Sequence, residues 1–389
     1  MKIAFIRKTF NPYGGAENYM NSLIRHLKSS GNDIHVLSTN WTDCEDIHCH
    51  RIETFNLNSL TSMLSFNHNV MHVADELNCD CTVSFERTTC QDIYRAGDGC
   101  HKQWLILRGQ GVDRLRRLSF ALNPMHRTLL SIERQCFSTT PLIVANSRMV
   151  KEQIMEHYDI GDDRIVVLYN GVDLERFKRP VNRSSCVGQV RAEFGIPEDC
   201  RLLLFAGSGF ERKGLALAVS SLAHLGAEFR MIVAGAGGTL KYRRLAKALG
   251  VSDRVVFAGP QSAIERLYVA ADVFVLPTLY DPFSNATLEA MACGTAAVTT
   301  RNNGAAEIIQ HGRDGLLMDD PRNPLELADK IKQIAEDREI YSLNAAEKAA
   351  VYPISQAAAT FLNLIQSYKR PRREGFALPQ THPQGDQSP

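Results

Sequence analysis

The sequence predicts an α/β protein made of two doubly wound parallel sheets, each with its own core. Three observations predict it. Short apolar runs of strand length alternate with stretches of helical pattern along most of the chain, as expected for parallel strands joined by crossover helices. Glycine-rich turns follow several of those runs, among them Gly14-Gly15 and Gly207-Ser208-Gly209, and glycine lets backbone approach a ligand closely. The length, 389 residues, is enough for two domains of ordinary size.

Bulk properties narrow the function. Lys and Arg number 44 against 43 Asp and Glu, so no global charge points to a nucleic-acid partner. The ten cysteines form no framework. Cys79-x-Cys81 is too tight for a zinc knuckle and no His pair completes it, so the cysteines read as small buried residues of a reduced cytosolic protein. Met1 to Arg7 lacks the long apolar region of a signal peptide. No stretch approaches the roughly 18 apolar residues of a membrane span. The expectation is a cytoplasmic protein, soluble or at most peripheral on the inner face of the membrane.

In chain order, Lys2 to Ile6 (KIAFI) reads as the first strand, and a helix runs from the Gly14-Gly15 turn to about Ser30, stopped by Gly31. Glu17 could face a ligand or simply favour the helix start. Asp33 to Ser38 is a second strand. Trp41 to Asn78 shows no regular pattern and stays unassigned. Cys81 to Phe85 is a strand with Glu86-Arg87 at its carboxyl end, where open α/β sheets bind ligands; Arg87 is therefore a site candidate. Asp98 stands between Gly97 and Gly99 with His101 close by. It could polarise an acceptor hydroxyl or hold a sugar hydroxyl, or it could be a turn aspartate bonding its own backbone.

Residues 102–134 mix Lys102, Arg108, Arg114, Arg116, Arg117 and Arg127 with Trp104 and several aliphatics. Such interleaving suits an interfacial helix on anionic lipid; an insertion whose charges solvate one face fits the same residues. Leu142 to Ala145 and Arg164 to Leu168 are strands, with Asn146-Ser147 capping the helix between them, and Asn170-Gly171-Val172-Asp173 is a turn. The second half then alternates regularly, with strands at Leu202–Ala206, Arg230–Ala234, Arg254–Ala258, Val273–Leu276, Ala296–Thr299 and Gly315–Met318. Arg212 and Lys213 sit on its first strand-to-helix turn, where two adjacent cations suit a diphosphate leaving group. Pro324 to Val351 reads as two helices, Ile354 to Tyr368 as a last one, and 370–389 as a disordered tail rich in Pro, Gln and charge.

One stretch organises the rest: Asp281-Pro282-Phe283-Ser284-Asn285 and onward to Glu289 and Gly294. Ser284 or Asn285 caps a helix and Gly294 ends it. One carboxylate precedes the helix, open amides lie at its start, and a second carboxylate follows on its first turns. Amides at a helix start attract anions, and each carboxylate can accept two hydroxyl hydrogen bonds. A nucleotide-sugar would use all three features. An ordinary capped helix with solvated Asp and Glu fits the spacing equally well.

That stretch resembles the carboxylate-x7-Glu signature of retaining nucleotide-sugar glycosyltransferases of family 4, and the resemblance covers nearly the whole chain. It implies the GT-B fold: two Rossmann-like domains facing each other across a cleft, divided here as 1–169 and 170–351, with 352–369 returning to the first. The first carboxylate is Asp281 where the family usually has Glu, which puts donor preference in question. By resemblance Asp281 holds the donor sugar and Glu289 the ribose. Arg212, Lys213 and the amides of Phe283, Ser284 and Asn285 meet the diphosphate, with Gly14 and Gly15 closing from across the cleft. The family often has a catalytic-cleft His in the region of His101, beside the candidate catalytic Asp98, and the turn Phe257-Ala258-Gly259-Pro260 resembles the family's base-binding turn. The amino-terminal half is similar to lipopolysaccharide-core glucosyltransferases, whose 102–134 equivalent faces the membrane. The implied reaction is retaining transfer of a hexose from a nucleotide-sugar, by default UDP-glucose, to a glycan or glycolipid, without a metal or other cofactor. Rival readings are an epimerase or a phosphorylase on the same fold, or a non-catalytic nucleotide binder.

Overall fold

The computed structural model describes residues 1–10, 15–41, 47–110, 113, 118–120 and 122–368. Gly14, Arg114, Arg116, Arg117 and the tail 370–389 lie outside the described residues.

The strands form two all-parallel sheets. The first contains β1 (Lys2–Ile6), β2 (Asp33–Ser38), β3 (His48–Arg51), β4 (Cys81–Ser84), β5 (Ile93–Ala96), β6 (Leu142–Ala145) and β7 (Ile165–Val167), in the order β3-β2-β1-β4-β5-β6-β7. The second contains β8 (Arg201–Ala206), β9 (Phe229–Ala234), β10 (Val255–Gly259), β11 (Val273–Leu276), β12 (Ala297–Thr300) and β13 (Gly315–Met318), in the order β10-β9-β8-β11-β12-β13. Strand order reverses between β1 and β4 and again between β8 and β11. Such switch points leave a crevice outside the carboxyl ends of the strands, and the two crevices face each other.

Central strands read as apolar because helices cover both faces. Phe5 of β1 stands beside Val36 and Val83, and all three are buried. β5 breaks that pattern with Arg95, which is only 1% exposed. Its guanidinium donates to the carbonyls of Val144 (3.1 Å) and Leu168 (2.9 Å) and to Asn170 Oδ1, so the charge is buried but hydrogen-bonded. The unassigned stretch 41–78 contains β3 and the helix Ser59–Leu77, begun by a capping box between Asn58 and Thr61. The described residues of 102–134 include the helices His101–Gly109 and Pro124–Thr139.

Two glycines fix how distant segments meet. A Cβ at Gly214, where φ is +79°, would lie 1.9 Å from the Pro277 carbonyl oxygen, so only glycine lets the turn after β8 lie on the end of β11. A Cβ at Gly171 would lie 2.6 Å from Ile354 Cα. There the returning chain crosses: Val172 N–H donates to Tyr352 O and Ile354 N–H to Val172 O, both at 2.9 Å. The last helix, Ile354–Ser367, buries Ile354, Ala358, Phe361 and Ile365 among Ile3, Phe5 and Leu23 of the first half.

Candidate active site

A cleft of about 900 Å³ opens between the facing carboxyl ends of the two sheets. Its second-domain wall is built by β11 and the turn after it. Asp281 is 5% exposed, and its backbone is pinned by Asp281 N–H to Asn302 O (2.9 Å) and Gly304 N–H to Asp281 O (2.8 Å). Its carboxylate accepts from Lys213 Nζ at 2.9 Å and lies 3.7 Å from Arg212 Nη1. Burial alone would raise the Asp281 pKa; Lys213 and Arg212 outweigh it and hold the group below the usual carboxylate range. The cluster of two cations and one carboxylate therefore carries a net positive charge. Arg212 is aimed by a second bond, to Tyr280 O at 2.8 Å.

Ser284 caps the helix Asn285–Ala292 by accepting from Thr287 N at 3.2 Å. Ser284 lines the cleft, while its own amide donates to Asn303 Oδ1 at 3.1 Å. Phe283 also lines the cleft; its amide backs the Asp281 carboxylate and its ring is buried, 6.1 Å from that of Tyr169. The first two helical amides, of Asn285 and Ala286, make no hydrogen bond among the described residues and line the cleft. Glu289 follows on the same helix, half-buried, accepting from Tyr268 Oη at 3.0 Å. Burial pushes its pKa above the ordinary value, against the pull of Tyr268, Arg176 and Lys213.

Of the expected base-reading turn, Pro260 lines the cleft together with Gln261 and Ser262, whereas Phe257 and Gly259 stand behind them. The register of β10 shifts between Phe257 and Gly259. The Phe257 ring lies 4.5 Å from the Arg243 guanidinium, and Gly259 O is taken by Gly235 N–H at 2.9 Å.

The opposing wall comes from the loops after β1, β4 and β5. Asp98 lies 3.3 Å from Arg7 and 3.9 Å from Arg87. Burial works to raise its pKa, but those two cations depress it overall. The flanking Gly99 has φ +63°, and a Cβ there would lie 2.2 Å from Tyr280 Oη. Tyr280 reaches across the cleft: its hydroxyl accepts from Cys100 N and donates to Gln153 Oε1, both at 2.9 Å. Asn285 makes a second bridge, from Nδ2 to Gly15 O at 2.9 Å and from Asn170 Nδ2 to its Oδ1 at 2.6 Å. His101 lines the cleft 3.1 Å from His126 and is pushed down to about 4 by burial and then by Arg87, so its imidazole is neutral at ordinary pH.

Sequence reasoning missed Arg7, which pairs with Glu17 at 3.0 Å, Asp98 at 3.3 Å and Glu86 at 4.0 Å. Its place just past the carboxyl end of β1 is the signal that flagged Arg87 after β4. It also missed Tyr280, whose partners Cys100 and Gln153 are distant in the sequence.

Comparison with known families assigns both halves. Residues 13–176 match the model described as Glycosyltransferase Family 4, and residues 188–350 match Glycosyl transferases group 1. The chain belongs to the GT-B glycosyltransferases. This glycosyltransferase is 24% identical over 384 residues to the lipopolysaccharide glucosyltransferase WaaG of Escherichia coli, covering 90% of this chain and 98% of that one. The crystal structure of WaaG superimposes with a TM-score of 0.83 at 22% identity, over 94% of this chain and 100% of that one. A D-inositol 3-phosphate glycosyltransferase of Xylanimonas cellulosilytica is 33% identical over 250 residues, 61% of this chain; the match spans 60% of that enzyme's length. HepE of Anabaena, solved with UDP-glucose, matches with a TM-score of 0.74 at 20% identity over 95% of this chain and 100% of its own. No described helix of this glycosyltransferase is long and apolar enough to cross a membrane.

Proposed function

We propose that the protein transfers a hexosyl unit from a nucleoside-diphosphate sugar, UDP-hexose in the first instance, to a glycan or glycolipid acceptor with retention of configuration. The observation that carries this reading is the Asp281–Lys213–Arg212 cluster beside the open amides of Asn285 and Ala286, with Glu289 on the same helix. Two cations and two amides meet the charge that develops on a departing diphosphate. Glu289 accepts from the ribose hydroxyls and Asp281, held ionised, from a sugar hydroxyl. Lys213 and Arg212 take the part a metal ion plays elsewhere, so transfer proceeds in a chelator. Asp281 is tied to Lys213, so we assign it no covalent bond to the sugar; the departing phosphate takes the proton of the acceptor hydroxyl on the same face.

The acceptor belongs to lipopolysaccharide core or another cell-surface polysaccharide. Exposed Ile106, Leu118 and Leu122 within the basic 102–134 stretch support docking on the anionic inner membrane surface. Relatives named for lipopolysaccharide glucose transfer and solved with UDP-glucose support donor and acceptor alike.

Thermal unfolding with UDP, GDP, ADP and their sugar conjugates, in a chelator, tests the donor site. One nucleotide family at a hundred times its dissociation constant should stabilise the protein by about 2.7 kcal/mol, and Glu289→Gln should lose that increment. No stabilisation by any nucleotide would sink the reading.

A further inference from the structure

At the far end of the first sheet, away from the cleft, three imidazoles and a carboxylate converge on one face. β2 and β3 pair with His35 beside His48, and residues two apart on a strand share a face. Asp33 and His35 of β2 and His48 and His50 of β3 are thereby gathered near the amino ends of the two strands. His35 Nε2 lies 3.3 Å from Asp33 Oδ2, and His48 Nε2 lies 3.4 Å from Asp33 Oδ1. One ligand atom from each of Asp33, His35 and His48 falls within 4.8 Å of the other two.

We infer that Asp33, His35 and His48 form a divalent-cation site of the zinc class that clips the edge strand β3 to β2. Zinc bonds to nitrogen and oxygen at about 2.0–2.2 Å, so ligand atoms around a tetrahedral ion stand about 3.4 Å apart. Each histidine nitrogen stands at about that distance from one oxygen of Asp33, His35 from Oδ2 and His48 from Oδ1, and one ligand atom from each of the three residues falls within 4.8 Å of the others, so a small turn of the carboxylate brings both nitrogens around one oxygen. The third closes by rotation of the His48 side chain, which is 63% exposed. His50 orients the site: its Nε2 lies 2.9 Å from His35 Nδ1. A His35 proton on Nδ1, donated to His50, leaves the Nε2 lone pair facing Asp33, the arrangement in which a ligating histidine is fixed by its outer partner. A proton on His35 Nε2 instead satisfies Asp33 directly, so metal and proton compete for the same place.

The site has a structural rationale. β3 is four residues long, and none of them is fully buried, so apolar packing holds it weakly at an exposed edge. A metal shared between β2 and β3 fastens it. Three protein ligands leave the fourth position to water.

The test uses the full chain, stripped with a chelator and titrated with zinc chloride, then with cobalt(II) chloride for its tetrahedral visible band. Wild type should bind one equivalent and melt at higher temperature with metal. His48→Gln, a change at an exposed side chain, should weaken binding at least tenfold, remove the cobalt band and leave circular dichroism unchanged. His68 and His72 on the helix Ser59–Leu77 have ring centroids 4.8 Å apart and form the competing chelate; the double variant His68→Gln/His72→Gln should bind as wild type does. Absence of equimolar binding, binding unaffected by His48→Gln, or loss confined to the double variant would each overturn the assignment. Donor-induced stabilisation is read separately and does not depend on this site.

Discussion

Arg7 sets the charge of the amino-terminal wall of the cleft. Glu17, Glu86 and Asp98 all point at this one guanidinium, and removing one partner of a buried ion pair strands the others. The hub is half-buried, with Asp98 35% exposed, so water screens part of it, and Arg7→Met should destabilise by about 1–3 kcal/mol, read as a shift in the urea midpoint at unchanged slope; no measurable loss would mean that water screens the hub fully. The Asp281–Lys213 pair makes a pH prediction. The folded-state pKa of Asp281 lies below its unfolded value, so the pair's stabilisation is present above the unfolded value and is lost as pH falls through the folded one. Asp281→Asn should flatten the acid limb of the stability curve below about pH 4, measured by denaturant melts across pH. Glu289 runs the other way. Its folded pKa is raised, so its charged form opposes folding as pH climbs past the unfolded value. Glu289→Gln should keep or raise the neutral-pH melting temperature while losing the donor.

Elements explain both the bridging of the halves and what could be read in advance. Glu307, in the turn Gly304–Ile308 of the second half, accepts from Arg148 N at 2.9 Å and Met149 N at 2.7 Å. It thus supplies an anion to the start of the helix Arg148–Tyr158 in the first half. Glu307→Ala should cost about 0.5–2 kcal/mol, as loss of a helix cap does, and a thermal scan of the two proteins decides it. The strands of the second half were legible because most are built on a run of three or more apolar residues with glycine or helix signals beside it. β3 was not, since His48-Cys49-His50-Arg51 carries no apolar alternation, and β5 was hidden by Arg95 in its middle. The helix Ser59–Leu77 is interrupted in pattern by Ser, Thr, Asn and His. In the cleft, Asp281, Glu289, Arg212 and Lys213 could be singled out from the sequence because they lie in two short local stretches, the turn after β8 and the segment from the end of β11 into the helix Asn285–Ala292. The Arg7 hub could not, because Arg7 and Asp98 are 91 residues apart and only the strand order brings them together.

On the scale of the whole molecule, the two sheets are tied at several points. Tyr280, Asn285 and Glu307 bridge the cleft, and Arg108 reaches Glu211 at 3.5 Å across it. The last helix does more, because its apolar face completes the core of the first sheet. A chain ending before Ile354 should leave β1 and β2 poorly protected in amide hydrogen exchange while β8 and β11 stay slow; equal protection in both sheets would show the first core to be self-sufficient.

The returning helix also sets an order of events during synthesis. Ile3 and Phe5 leave the ribosome early, yet the Phe361 and Ile365 they pack with are made after the whole second sheet, whose strands span residues 201–318. The second sheet has all its strands in hand while the first still waits with an apolar face uncovered. Of the two sheets, the one that emerges first is completed second.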